Sequence, residues 1–295
     1  MNYLLGLWLL SSARLTFSTY WQKVIIDERS ISLDRIATKG LFVSYEDKCV
    51  IESLNLKIPQ KKITVIVGPN GCGKSTALKA IGRILRPKKG IVYLDGKDIQ
   101  KLSTKEVARR MAILPQSPQA PAGLTVEELV TYGRFPHQKG FGSLTAGDKD
   151  TILWALEMTK LQELKDTAVE NLSGGQRQRV WIAMAIAQQT ELILLDEPTT
   201  YLDMAYQLEV LELLYRLNRE QDCTIAMVLH DLNLASRFAD YMIALRDGRI
   251  VCHGEPERVM TREILRETFQ IEAEILQDTH TGKPICISYD LIRKI

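Results

Sequence analysis

Residues 68–76 read Gly68-Pro69-Asn70-Gly71-Cys72-Gly73-Lys74-Ser75-Thr76, a glycine spacing that lets the backbone curl until successive N–H groups point inward at one anion. The flanking sequence supplies the setting such a loop needs. The apolar run 63–67 predicts a strand leading in, and a helical pattern through Leu85 predicts a helix leading out, with the positive end of its dipole at the loop. In that cradle Lys74 would reach the β- and γ-phosphates of a nucleoside triphosphate, and the Ser75 hydroxyl would ligate magnesium. The competing reading, a glycine turn carrying an exposed lysine, does not account for the strand and helix on either side. Cys72 lies inside the loop, which leads to the expectation that a thiol-modifying reagent blocks nucleotide binding.

Other apolar runs also end in polar residues a phosphate site can use. Residues 192–195 run into Asp196-Glu197, residues 225–229 into His230-Asp231, and Ile113-Leu114 through Pro115 into Gln116. Open α/β sheets bind ligands beyond the carboxyl ends of their strands, so these groups are expected to converge on the phosphate loop. Asp196 suits magnesium, through water, because a hard cation takes oxygen ligands and keeps part of its hydration shell. Glu197 stands next to it, placed to orient and deprotonate a water for in-line attack on the γ-phosphorus. His230 could donate to the γ-phosphate and stabilise its spreading charge, and Gln116 could ligate magnesium and sense the γ-phosphate. Singly, an acidic pair after a strand also serves as a turn or cap, and a strand-end histidine is often structural. The shared edge favours the chemical reading.

A second helix start also seeks an anion. Leu172-Ser173-Gly174-Gly175-Gln176 precedes a helical pattern over 177–189; Ser173 is a good cap and the two glycines expose backbone N–H groups. A capped helix after a tight turn is the structural alternative. One lysine loop with two phosphate-seeking starts suggests that the second serves a nucleotide held by another copy of the chain.

The elements that must position these residues are those of an α/β fold. Short branched apolar runs at 63–67, 113–114, 192–195 and 225–229 predict buried parallel strands, and they alternate with helical patterns. Segments 40–43 and 50–58 alternate apolar with polar, and 92–94 leads into the turn signal Asp95-Gly96, so an antiparallel layer is expected near the amino end. The stretch 103–170 is rich in proline and glycine and includes a predicted helix at 148–164. A helix from Pro256 through Phe269 and a short apolar segment at 285–287 follow. Residues 1–38 read as an extension. Its apolar run at 3–10 is stopped by Arg14, short of the about 20 residues a membrane span needs, and it shows no clear secretory cleavage pattern. An amphipathic membrane-surface contact is the alternative there.

Composition narrows the partners. The 295 residues carry 38 Lys plus Arg against 36 Asp plus Glu, a formal charge of +2, so no strong field marks the chain for nucleic acid or an anionic membrane. The five cysteines, at 49, 72, 223, 252 and 286, are scattered and form no C-x-x-C pair, which argues against a disulfide framework or a zinc site.

Residues 39–290 resemble the ATP-binding subunit of an ATP-binding cassette transporter. GPNGCGKST at 68–76, Gln116, LSGGQ at 172–176, LILLDEP at 192–198, Leu202-Asp203 and His230 stand in the order and spacing of that family's Walker A, Q-loop, signature, Walker B, D-loop and switch histidine. YGRFPHQ at 132–138, EPTTYLD at 197–203, HDLNLASRFAD at 230–240 and ALRDGRIV at 244–251 are similar to the subunits importing ferric siderophores and related iron chelates. The resemblance implies an ABC-type P-loop NTPase: a mainly parallel sheet with an antiparallel layer, a cassette over 39–275 with a helical subdomain at about 103–180, and a tail over 276–295. It implies ATP and Mg2+ as ligands, with Tyr45 stacking on adenine and Asp203 at the nucleotide. It also implies a head-to-tail homodimer, each ATP lying between residues 68–76 of one copy and 173–176 of the other. Two membrane permease subunits and, indirectly, a substrate-binding protein complete the assembly at the cytoplasmic face of the inner membrane. The implied activity is ATP hydrolysis driving iron-chelate import, with haem or cobalamin import as the alternative. A soluble cassette ATPase acting on DNA or ribosomes would bring a long coiled coil or a second cassette between or beside these motifs, and a half-exporter would bring membrane spans; neither pattern is present in the sequence.

Overall fold

The computed structural model describes residues 34–46, 48–138 and 143–292, so the apolar run at 3–10 and the alternative of a membrane-surface contact there lie outside the described residues. The first layer is antiparallel. It is built from β1 (Asp34–Tyr45), β2 (Lys48–Leu54) and β3 (Lys57–Pro59). The next strand, β4 (Ile63–Val67), leaves for a second sheet, and β5 (Lys89–Leu94) and β6 (Lys97–Asp98) return to the first, giving the order β2-β1-β5-β6 with β3 also on β1. β1 starts ahead of residue 39: Ile36 and Ala37 are buried and pair with β3 and β5, so residues 34–38 belong to this sheet and not to the leading extension. The alternating segment 50–58 is split in two. The Thr38 hydroxyl donates to Leu54 O and accepts from Leu56 N, holding the chain in a bend between β2 and β3.

The second sheet has the order β11-β10-β4-β9-β8-β7. Its parallel members are β4, β7 (Met111–Leu114), β8 (Leu192–Asp196), β9 (Thr224–Val228) and β10 (Tyr241–Arg246), with β11 (Arg249–Gly254) antiparallel on β10. Side chains alternate between its faces: Ile193 and Leu195 enter one core, Leu192 and Leu194 the other. Each such fully buried side chain contributes about 1.5–3 kcal/mol relative to exposure, which is why β4, β8 and β9 are apolar with almost no interruption. The β10–β11 hairpin was not among the expected strands. Its signal was there, an apolar run followed by Asp247-Gly248, both at positive φ (48° and 72°) in the turn.

Helices cover both faces. α1 (Lys74–Ile81) follows β4, and α2 (Thr104–Arg110) precedes β7. The helical layer then begins at α3 (Val126–Thr131), followed by a 3₁₀ turn over Tyr132–His137, α4 (Ala146–Met158) and α5 (Gly174–Ala187). α3, α4 and α5 each open on a reciprocal cap: Thr125 with Glu128, Thr145 with Asp148, and Ser173 with Gln176. The helix expected through residue 164 stops at Met158, because Lys160 turns to φ 56° and the last carbonyls are closed by Lys160 N on Glu157 O and Leu161 N on Leu156 O. α6 (Met204–Gln221), α7 (Leu232–Phe238), α8 (Pro256–Val259) and α9 (Arg262–Phe269) complete the set. The single helix expected from Pro256 is thus two, the second started by a Thr261 cap on Ile264 N. A closing hairpin of β12 (Ile271–Gln277) and β13 (Pro284–Leu291) docks on α7, where Asn233 donates to Cys286 O and accepts from Cys286 N. Among the described residues no helix is long and apolar enough to cross a membrane.

Candidate functional site

β4 delivers the chain into residues 68–73 and α1 takes it away, as the sequence predicts. Gly68 is required by close approach: a Cβ there would lie 2.1 Å from Leu245 O and 2.8 Å from Cys72 Sγ. At the other end Gly73, at φ 105°, precedes α1 without any side-chain cap, and the first turn of α1 holds no acidic residue. Among the described residues its first N–H groups and the positive end of its dipole therefore have no carboxylate partner. Lys74 is buried and lies back across the loop, donating to Gly68 O at 2.8 Å and Pro69 O at 2.9 Å. An ammonium whose hydrogen bonds go to two neutral carbonyls, with no ion pair among the described residues, is suited to move onto phosphate oxygens.

The carboxyl ends of β8, β9 and β7 bring the remaining groups together. Ser75 Oγ donates to Asp196 Oδ1 at 2.7 Å. Asp196 is 2% exposed, its Oδ2 is buried with no hydrogen-bond partner, and burial raises its carboxyl above the usual range. A buried carboxylate oxygen without a partner beside a hydroxyl is a costly arrangement by itself, and a divalent cation that takes oxygen ligands would offset the cost. The donor set thus fits the expected Mg2+. One residue on, Glu197 sits at φ 54° and is 9% exposed. Its Oε1 is 2.7 Å from His230 Nε2, and its Oε2 accepts from Gln116 Nε2 at 2.5 Å and from the Thr200 hydroxyl at 3.1 Å. Gln116, expected at the metal, is therefore bonded to Glu197 and not to the Ser75–Asp196 pair. Thr200 escaped the sequence reading, although its position three residues after Glu197 across a left-handed turn was the available sign.

Some predicted residues stand apart. Ser173 accepts from Gln176 N while Gln176 Oε1 accepts from Ser173 N, and Gly175 lies under the Tyr206 ring. Among the described residues no hydrogen bond or ion pair joins 173–176 to 68–76. A hydroxyl oxygen that accepts from Gln176 N keeps its own proton free to donate. Asp203 caps α6 through Tyr206 N at 3.0 Å, and the neighbouring Tyr201 and Met204 are 92% and 82% exposed. Tyr45 ends β1, half-exposed, on the hairpin whose Val50 and Ile51 lie against Gly73. Asn70, Gly71 and Thr76 fall in the loop and first turn as expected.

Cys72 corrects one expectation. Its side chain is 4% exposed and points under the loop, and burial pushes the thiol up, outweighing the lowering by Lys74. A buried thiol held toward its protonated form reacts slowly, which argues against the expected block of nucleotide binding by thiol reagents.

The chain is similar to known proteins in sequence and in fold. Residues 51–200 match the family model described as ABC transporter. The iron(3+)-hydroxamate import ATP-binding protein FhuC of Bacillus subtilis (strain 168) is 59% identical over 261 residues, 88% of this chain and 97% of that protein. Among solved structures, a metal-chelate type ABC transporter in an inward-facing conformation superposes with a TM-score of 0.74 at 29% identity, covering 86% of this chain and 97% of that one. A dimeric bacterial ABC transporter cassette superposes with a TM-score of 0.67 at 31% identity, covering 75% and 98%.

Proposed function

The chain belongs to the ABC transporter family, and from that premise we propose that it is the ATP-binding subunit energising import of a ferric siderophore or related iron chelate, with Glu197 as the catalytic base. The observation that carries the hydrolytic part is the Glu197 junction. A buried carboxylate has both oxygens held by groups, His230 and Gln116, that are themselves suited to donate to a γ-phosphate. The chelate class is supported by the 59% identity to a hydroxamate importer's ATP-binding protein over nearly its whole length.

The residues do the following. The N–H groups of residues 71–76 and the ammonium of Lys74 take the β- and γ-phosphates, Lys74 leaving Gly68 O and Pro69 O. Ser75 and Asp196 would hold magnesium, which would supply charge neutralisation on the phosphate oxygens. When His230 and Gln116 turn to the γ-phosphate, Glu197 is released to accept a proton from the attacking water. The water oxygen bonds to the γ-phosphorus as its bond to the β-bridging oxygen breaks, and that oxygen leaves with the electron pair on ADP. Tyr45 stacks on adenine.

Two copies meet head to tail, Ser173–Gln176 of one donating to the ATP held by the other, with Asp203 beside it. The lack of any bond between the two helix starts among the described residues and the exposed Tyr201 and Met204 support this, as does the dimeric cassette at 31% identity. The pair would work on the cytoplasmic face of the inner membrane through two permease subunits, with a binding protein selecting the chelate outside. Glu197→Gln tests the reading. ATP binding should persist while hydrolysis falls by roughly 10²–10⁴-fold and uptake stops; normal turnover would remove Glu197 from its role. Growth of a deletion strain on a panel of iron sources tests the cargo, since loss confined to haem or cobalamin would favour that alternative.

A further inference from the structure

The stretch Tyr132–His137 has no part in the site above, yet it is bonded to the far end of the helix that Ser173 begins. We infer that it anchors the carboxyl end of α5 and that Arg134 is a positioning residue for the Ser173–Gln176 helix start. The inference rests on the reading that this start meets a nucleotide held by a second copy.

Three residues of the stretch grip one turn. Gly133 lies against α5 so closely that a Cβ would meet Met184 O at 2.2 Å, with Ala187 Cβ and Gln188 N at 3.1 and 3.2 Å. Arg134 is buried, and its guanidinium donates to Ala187 O at 2.7 Å, Gln189 Oε1 at 3.0 Å and Asp148 Oδ1 at 2.8 Å. His137 Nε2 donates to Gln188 O at 2.8 Å. The last carbonyls of a helix have no intrahelical donor, and cationic or N–H groups there also complement the dipole. Asp148 stays ionised opposite Arg134, its carboxyl lowered to about 2 by the Thr145 hydroxyl first and Arg134 second. Gln188 in turn donates to Ala108 O and Met111 O at 2.5 and 3.1 Å. That bond fastens the same turn to the start of β7, the strand that leads to Gln116.

The anchor matters because α5 is a lever. Its 14 residues span about 21 Å, so a tilt of about 5° at Ala187 displaces the Ser173 end by about 2 Å. A displacement of about 1 Å can cost a hundredfold in a site that depends on placement. Residues 68–76 sit on another strand and helix and have no bond to this joint. The two starts should therefore respond differently to its removal.

The test uses the full chain in a Glu197→Gln background, where ATP should hold two copies together. Affinity for a fluorescent ATP analogue is measured on dilute single copies, ATP-driven dimerisation by light scattering, and folding by thermal melting. Arg134→Ala should leave single-copy ATP affinity within about twofold while weakening dimerisation roughly tenfold or more, the scale of losing hydrogen bonds to a charged group. Arg134→Lys, which keeps a cation near Ala187 O, should recover part of the loss, and His137→Ala should show a smaller effect of the same sign. If Arg134→Ala does not fold, the other two variants decide on the same readouts. Unchanged dimerisation in folded variants, or ATP affinity and dimerisation weakened in parallel, overturns the positioning role. Absence of ATP-driven dimers before any change at 134 or 137 would overturn the two-copy reading itself.

Discussion

The starts of α1 and α5 both carry glycines, and both are proposed to meet phosphate, but they differ in what the chain itself supplies. The start of α1 has no cap of its own and is fixed by burial, with Lys74 lying across the loop and Gly68 wedged against Leu245 O. The start of α5 is closed on itself by the Ser173–Gln176 box and faces open space, since a Cβ on Gly174 would meet nothing within 4 Å. One is a site assembled within a single chain. The other is a finished surface that gains a role only when something is brought to it.

Lys74→Ala breaks the first half of that contrast and should have the largest effect. Removing the ammonium deletes two charge-assisted bonds to phosphate, worth together roughly 3–6 kcal/mol, so single-copy ATP affinity should fall by a hundredfold or more on that estimate. Equilibrium binding of an ATP analogue measures it. Retained affinity would mean that the α1 start does not hold phosphate. Gly174→Ala addresses the second half. In an isolated chain it is sterically free, and alanine in place of helical glycine should hold or raise the melting temperature, by a stabilisation of about 0.5–1 kcal/mol at most. Single-copy ATP affinity should not move. Where a second copy's nucleotide approaches that N–H, the added methyl intrudes, and hydrolysis at high protein concentration should drop roughly tenfold, the scale of one lost charge-assisted hydrogen bond. Full activity would place the α5 start away from any nucleotide.

Much of this contrast was legible beforehand, for local reasons. Loop glycines, the lysine and the strand-end acids lie within a few residues of elements whose period is strong, so their convergence follows from the rule for open sheets. What escaped reading depends on partners distant in sequence. Nothing near Arg134 indicates that its guanidinium bonds Ala187 O, and nothing near Gln116 indicates that it is bonded to Glu197 and not to the Ser75–Asp196 pair. β10 was missed although its apolar run ends in Arg246 and the turn residues Asp247-Gly248, because the parallel strands sought were those that deliver polar groups to the phosphate loop and this one turns back into β11. Asp34 to Thr38 was read with the extension because the resemblance begins at residue 39, whereas in the fold the Arg35 side chain is buried against Asp95 and Glu191.

Cys72 gives the smallest effect and a check on the closed nature of the first start. It is buried, with its thiol raised by desolvation ahead of the opposing pull of Lys74, whereas Cys49 is exposed. Because the thiolate is the reacting form, maleimide at neutral pH should label Cys49 first and leave ATP binding intact, and Cys72 should react only as fast as the native chain opens. Raising the pH increases the thiolate fraction and should speed Cys72 labelling without making it an early event. Peptide mapping of the labelled cysteines, run alongside ATP-analogue binding, follows both. If binding is lost in step with Cys72 labelling in the folded protein, and ATP protects against it, then the underside of the loop is open to solvent. The distinction between a start closed by burial and one closed by its own cap would then fail at the α1 end.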